Sequence, residues 1–248
     1  VTGVSNGQAT ISVETQNGYR DECNVTVETS PTGIKLNVTD KTLDLSGEKN
    51  FTLEPIIEPS TANVNKKLMV KNSNASAINV SENGVVTGIS NGLAVITVQT
   101  ENGKMATCNV TVQTSPTDLI LDKKELNIDI SESVTQNIVA TIAPSSSNIY
   151  TKISWNTSNP KVATVSDNGT ITGISNGEAV ITAKTGNEKV ATCKVVVQTS
   201  PTAVVLNKTN IEIDSEISTY QKLIATINPE TSNVYNKLSW KSNNPNIA

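Results

Sequence analysis

The chain has 248 residues, of which 36% are hydrophobic and 17% charged, with a net charge of −4 and no histidine. That balance excludes a disordered polyelectrolyte, and the acidic pI near 5.0 excludes a nucleic-acid partner, which needs a clustered basic face. No run approaches the roughly 18–20 apolar residues of a membrane-spanning helix. The lack of histidine removes the commonest general base and the usual zinc ligand.

Read in chain order, the sequence repeats. Val1-Thr2-Gly3-Val4-Ser5-Asn6-Gly7 returns as Val86-Thr87-Gly88-Ile89-Ser90-Asn91-Gly92 and again, after an equal step, as Ile171-Thr172-Gly173-Ile174-Ser175-Asn176-Gly177. Cys23, Cys108 and Cys193 keep the same step, as do Trp155 and Trp240 and the Ser-Pro-Thr triplets containing Pro31, Pro116 and Pro201. A fixed period of this kind marks an array of structural units. The expected divisions are 1–30 (the C-terminal part of a unit), 31–115 and 116–200 (complete units) and 201–248 (an N-terminal part). One period, about 85 residues, suffices for a self-standing sandwich.

Within each unit the pattern predicts short strands separated by turns. In 116–200, Leu119 to Leu121 follows the proline junction, and Leu126, Ile128 and Ile130 alternate with polar residues. Ile138, Ala140 and Ile142 predict a next inward face, which Pro144 stops. Ile153 and Trp155 then face inward, and Ala163 and Val165 lead into Asp167-Asn168-Gly169, a hairpin signal. Ala179, Ile181 and Ala183 follow the turn between Gly173 and Gly177, and the Cys193 strand closes the unit. No stretch carries the 3.6-residue apolar period of a helix.

Stepping by one period gives a core map. Ile96 and Ile181 fall at one inward position, and Trp155, Trp240 and Val70 at another, the valine leaving a deficit to be repacked. Strand alternation puts Ala106, Cys108, Val110 and Val112 on one face, so Cys23, Cys108 and Cys193 read as buried thiols packed as small hydrophobes. Gly3, Gly7, Gly88, Gly92, Gly173 and Gly177 read as turn residues. Pro31, Pro116 and Pro201 sit in four-residue Thr-Ser-Pro-Thr links, too short and too restricted to act as flexible tethers. The expectation is an all-β chain of tandem sandwiches arranged end to end as a rod.

Three segments together resemble the bacterial immunoglobulin-like domain family of group 2. They are the Asn-Gly hairpin with the Thr-Gly-Ile-Ser-Asn-Gly turn after it, the Lys189–Val197 closing strand, and Ile153 to Val165 (Ile-Ser-Trp-Asn-Thr-Ser-Asn-Pro-Lys-Val-Ala-Thr-Val). Val70 and Ala75 depart from the pattern carried by Trp155 and Pro160. The resemblance implies an immunoglobulin-like sandwich, an extracellular place on a bacterial cell surface or appendage, and no shared catalytic residue. It implies a spacer, stalk or fibre segment, with an adhesive module binding a host, glycan or matrix ligand, or a phage virion protein, as the alternatives.

No catalytic, cofactor or metal site is expected. Asp40, Asp44, Asp122 and Asp129 lie near the links, where carboxylates could bind calcium, but they keep no strict spacing. Tyr150 and Tyr235 are the expected surface aromatics. The expected partners are adjacent repeats, in the same chain or head to tail with neighbouring copies, and a possible host or cell-wall ligand. Val1 aligns with Ile171 and Ala248 with Ala163, so seven positions, 164–170, would bring the chain to three full periods. The expectation is a window on a longer array, with strand complementation between separate chains as the alternative.

Overall fold

The computed structural model describes residues 1–214, 216–217 and 220–247. Ala248, whose alignment with Ala163 entered the expectation above, lies outside the described residues, as do three positions of the 201–248 stretch. Among the described residues there is no helix, and none is therefore long and apolar enough to cross a membrane. Among the described residues the chain is all-β, built of sheets packed face to face. It divides into two compact units, Val1–Ser115 with Ser146–Ile149, and Pro116–Ser145 with Tyr150–Ala248.

The first unit begins with a hairpin of β1 (Gly7–Glu14) and β2 (Arg20–Val27), with Ile11 opposite Cys23. It continues with β3 (Gly33–Leu36), β4 (Asp40–Asp44), β5 (Asn50–Thr52), β6 (Pro55–Glu58), β7 (Leu68–Asn72), β8 (Ile78–Val80), β9 (Val85–Gly88), β10 (Gly92–Thr100) and β11 (Met105–Gln113). One sheet has the order β4-β11-β10-β7, with β4 parallel to β11. The pair β3-β6 and the triplet β5-β9-β8 supply the other layer. Period-2 alternation explains the burial. Ala94, Ile96 and Val98 of β10 and Cys108, Val110 and Val112 of β11 point into one core with Ile34, Leu43, Leu53, Ile78 and Val86, while Leu93 and Val95 point out. Each fully buried aliphatic side chain contributes roughly 1.5–3 kcal/mol.

The second unit repeats this plan one period on. Its strands are β12 (Asp118–Leu121), β13 (Glu125–Asp129), β14 (Thr135–Asn137), β15 (Ala140–Ala143), β16 (Ile153–Thr157), β17 (Ala163–Val165), β18 (Thr170–Gly173), β19 (Gly177–Thr185) and β20 (Val190–Gln198), followed by β21 (Ala203–Leu206) and β22 (Ala225–Asn228). The sheets are β13-β20-β19-β16, β12-β15 and β14-β18-β17. Ile128, Ile138, Ile171, Ile181, Cys193, Val195 and Val197 form its core, with Trp155 half-buried against it.

The hairpin of β17 and β18 turns on Ser166–Gly169. Only Gly169 there has a left-handed φ, +80°, so the turn is a type I turn followed by a glycine bulge rather than a two-residue Asn-Gly loop. A Cβ at Gly169 would strike the Ile138 carbonyl oxygen, which leaves no room for a side chain.

Four expectations need correction. Ile138 to Ile142 is not one strand. The chain leaves β14, paired to β18, and joins β15, paired to β12. The Asp122 carboxylate accepts the Val139 amide (2.8 Å) at this crossing between sheets. Cys23 is exposed because β1 and β2 form a two-stranded sheet with no opposing layer among the described residues. Trp240 is 58% exposed for the same reason, in a stretch where, among the described residues, only β21 and β22 pair. Val70 is 50% exposed on the edge strand β7. Its short side chain does not close the groove that Trp155 covers in the second unit, where Cζ2 lies 3.2 Å from the Cβ position of Gly169.

Candidate functional site

No pocket with convergent chemistry stands out, and among the described residues no group of three or more Cys, Asp and Glu is placed to hold a metal ion. The polar groups that do converge lie around the Thr-Ser-Pro-Thr links, and they do so three times with the same geometry.

In the first unit the link begins at Thr29. Its amide donates to Asn63 Oδ1 (2.8 Å), its carbonyl accepts the Asn63 amide (2.9 Å), and its hydroxyl donates to Asn6 Oδ1 (2.6 Å). Asn6 Nδ2 in turn donates to the Thr61 carbonyl (2.6 Å). Thr29 thereby joins the Ser-Asn-Gly turn before it to the 61–63 loop after it, and every polar atom of the threonine is bonded. The second unit builds the same set on Thr199, which bonds Asn233 and Asn176, while Asn176 reaches the Thr231 carbonyl (2.6 Å). Thr114, Asn91, Asn148 and Ser146 form a third set inside the first unit, with distances of 2.6 to 3.0 Å.

The next link residue is fastened by a carboxylate. Asp44 Oδ1 accepts the Ser115 amide (3.1 Å) and the Ser46 amide (2.9 Å), and Oδ2 accepts the Ser115 hydroxyl. Asp129 holds Ser200 in the same way and accepts in addition the Ser131 hydroxyl (2.6 Å). Burial pushes the Asp44 carboxyl up, and the bonds from Ser115 and Ser46 outweigh it, so the group titrates below its ordinary value. Hydrogen bonds from Ser131, then Ser200, hold Asp129 far below the usual carboxylate range. Both are therefore ionised acceptors at neutral pH. These two aspartates, candidates for calcium by sequence, have their oxygens committed to the link serines.

The prolines follow. Pro31 and Pro116 are buried and Pro201 half-buried. The Pro31 carbonyl accepts Asn102 Nδ2 (2.8 Å), and the Pro116 carbonyl accepts Asn187 Nδ2 (2.7 Å). Thr32, Thr117 and Thr202 close the set by donating their amides to the carbonyls of Glu58, Ala143 and Asn228.

The glycines named from sequence divide by role. Gly7 and Gly177 start β1 and β19 with φ near +148° and +147°, and Gly92 starts β10. Gly88 and Gly173 end strands, where the reason for glycine is contact. A Cβ at Gly173 would lie 2.9 Å from Ile130 Cγ2, and one at Gly3 equally close to Val27 Cγ1. Ile96, Ile181, Cys108 and Cys193 have no solvent exposure. Burial pushes both thiols up, with the nearby charge of Asp40 on Cys108 and Asp122 on Cys193 acting in the same direction. The link asparagines were not singled out in the sequence, and Asp44 and Asp129 were read there only as possible calcium ligands. The signal that marks them is their return at polar positions once in every period.

A family model, the bacterial Ig-like domain of group 2, matches residues 120–195. An uncharacterized protein of Clostridium acetobutylicum is 29% identical over 150 residues, which is 59% of this chain and 15% of that protein. The chain thus spans 15% of the length of the curated relative it matches. Among solved structures, domains 1–6 of the surface layer protein SbsC align with 82% of this chain and 37% of that one (17% identity, TM-score 0.32). A 282-residue C-terminal fragment of intimin, in complex with the intimin-binding domain of its translocated receptor, aligns with 72% of this chain and 67% of that one (16%, TM-score 0.35). Drosophila N-cadherin EC1–4 aligns with 79% of this chain and 58% of that one (13%, TM-score 0.36). Residues 120–195 of the chain thus match the bacterial Ig-like domain of group 2.

Proposed function

We propose that the chain is a structural spacer, a stalk or fibre segment of a longer bacterial surface or filament-forming protein, and that it acts without catalysis. The divisions 1–30, 31–115, 116–200 and 201–248 are its repeats, and neighbouring repeats are its partners. One observation carries the reading: at Thr29 and Thr199 each polar atom of the link threonine is hydrogen-bonded, and its partners lie in the repeats on both sides. A flexible tether leaves such groups to water. A spacer must hold one repeat against the next, and four bonds at about 0.5–1.5 kcal/mol each do so. The absence of histidine and the match of residues 120–195 to a bacterial Ig-like domain support a role without chemistry.

A second reading, an adhesive module, has one observation in its favour. Tyr150 and Tyr235 stand 52% and 84% exposed at equivalent loop positions, and tyrosine is enriched at binding surfaces. Measuring the chain against immobilised bacterial and host cells, glycans and matrix proteins separates the two. The spacer reading expects no saturable binding; a specific micromolar affinity abolished by Tyr150→Ala would overturn it.

A further inference from the structure

Seven Asn-Gly dipeptides occur in the chain, and they fall into two groups. Asn17, Asn83, Asn102 and Asn168 precede turn glycines whose amides are committed to carbonyls three residues back, at 2.9 to 3.0 Å. Asn6, Asn91 and Asn176 are the link asparagines. Their side-chain amides are held at both ends, by a carbonyl accepting from Nδ2 and a threonine hydroxyl donating to Oδ1.

Asn-Gly is chemically fragile because glycine has no side chain to keep its nitrogen away from the preceding Cγ. The Gly backbone nitrogen attacks Cγ, a C–N bond forms, and the amide nitrogen leaves as ammonia. Water then opens the cyclic imide to aspartate or isoaspartate. In the link this attack requires the Asn side chain to turn away from both partners and to release them. At Gly177 the glycine cannot readily be exchanged: its φ is +147°, and a Cβ there would sit 2.9 Å from Val162 Cγ2.

We infer that Asn6, Asn91 and Asn176 are deamidation sites gated by the repeat links: shielded while the link is closed, and converted once it opens. Conversion is one-way for the link. The product carboxylate has lost the Nδ2 donor, so it meets the carbonyl of Thr61, Ser146 or Thr231 with an acceptor and a negative charge. A link that has spent time open therefore stays weakened, and the array keeps a covalent record of it. That last consequence rests on the spacer reading, whereas the shielding does not.

The test incubates the full 248-residue chain in warm, mildly alkaline buffer and reads each site by peptide mass spectrometry, with the urea-unfolded chain as reference. Asn91 and Asn176 should deamidate at least about tenfold more slowly in the folded chain, the weight of two intact hydrogen bonds. Thr114→Val should speed Asn91 about three- to tenfold, the weight of one, and leave Asn176 unchanged, while Thr114→Ser restores the slow rate. Equal folded and unfolded rates in the parent chain overturn the inference, whether or not Thr114→Val folds. Acceleration of Asn102 together with Asn91 overturns it too, since the whole repeat and not the link is then opening. Asn91→Asp should raise exchange of the Thr114 amide, and unchanged exchange overturns the one-way step. A chain that binds a ligand through Tyr150 yet keeps this pattern of rates refutes the spacer reading and leaves the gating intact.

Discussion

Asn148→Ala removes one atom that matters, the Oδ1 that accepts the Thr114 amide at 2.8 Å. Thr114 is only 2% exposed, so its N–H has little access to water as a substitute partner. Leaving a buried donor unpaired costs about 1–3 kcal/mol. The reverse bond, from the Asn148 amide to the Thr114 carbonyl (3.0 Å), involves backbone alone and survives the substitution. The loss should therefore be local. Native-state hydrogen exchange reads it at the Thr114 amide, which should exchange about 5- to 150-fold faster, taking about 1.4 kcal/mol as tenfold. Amides in the middle of β10 and β11 should not change. Asn148→Asp keeps an acceptor at the same place and should retain the protection. A Thr114 amide that exchanges within about twofold of the parent in Asn148→Ala would refute the claim that these bonds hold the link.

Gly169→Ala should lower the stability of its repeat by about 2 kcal/mol or more, through both its left-handed φ and the carbonyl it would strike; unaltered thermal unfolding would contradict this. In the full chain a thiol reagent should titrate Cys23 at once, and Cys108 and Cys193 only after denaturant is added, since both are buried with thiols pushed up. The two link carboxylates set a pH dependence of known sign. Because the folded pKa of Asp44 and Asp129 lies below the ordinary value of 3.8, their contribution is complete above that value and is lost as pH falls further. Exchange at Ser115 and Ser200 should therefore be protected equally at neutral pH and about pH 5, once corrected for intrinsic rates. It should rise only in stronger acid, and a transition near neutrality would contradict the assignment.

Much of the fold was legible because its signals are local and repeated. The period, the alternation around Ile96 and Ile181, and the burial of Cys108 and Cys193 follow from period-2 patterning against two layers. What failed depended on neighbours. Cys23 and Trp240 hold the same repeat positions as the buried Cys108 and Cys193 and the half-buried Trp155, and their exposure reflects a lack of packed strands beside them among the described residues. Val70 shows the converse: one shortened side chain on an edge strand, with nothing in the sequence to say whether the groove closes. The strand switch between Asn137 and Ala140 was hidden because Ile138 and Ile142 both read as inward. Asp122, which bridges the crossing, read only as one of four carboxylates near the links without strict spacing.

The links were the least legible part. Thr29 lies 23 positions from Asn6 and 34 from Asn63, and no motif reading joins three common polar residues across such gaps. Pro31 reads from sequence as a stiffening residue, but the bonds that hold the link come from residues around it.

Each link draws on positions that recur in every repeat, so any repeat can stand beside any other without a tailored interface. Unequal crossing-over between two copies of the gene, at matching positions, would regenerate a complete Asn–Thr–Asn set at the new junction. The number of repeats is thus free to change in a single genetic step, by whole periods, without selection first having to invent a new contact.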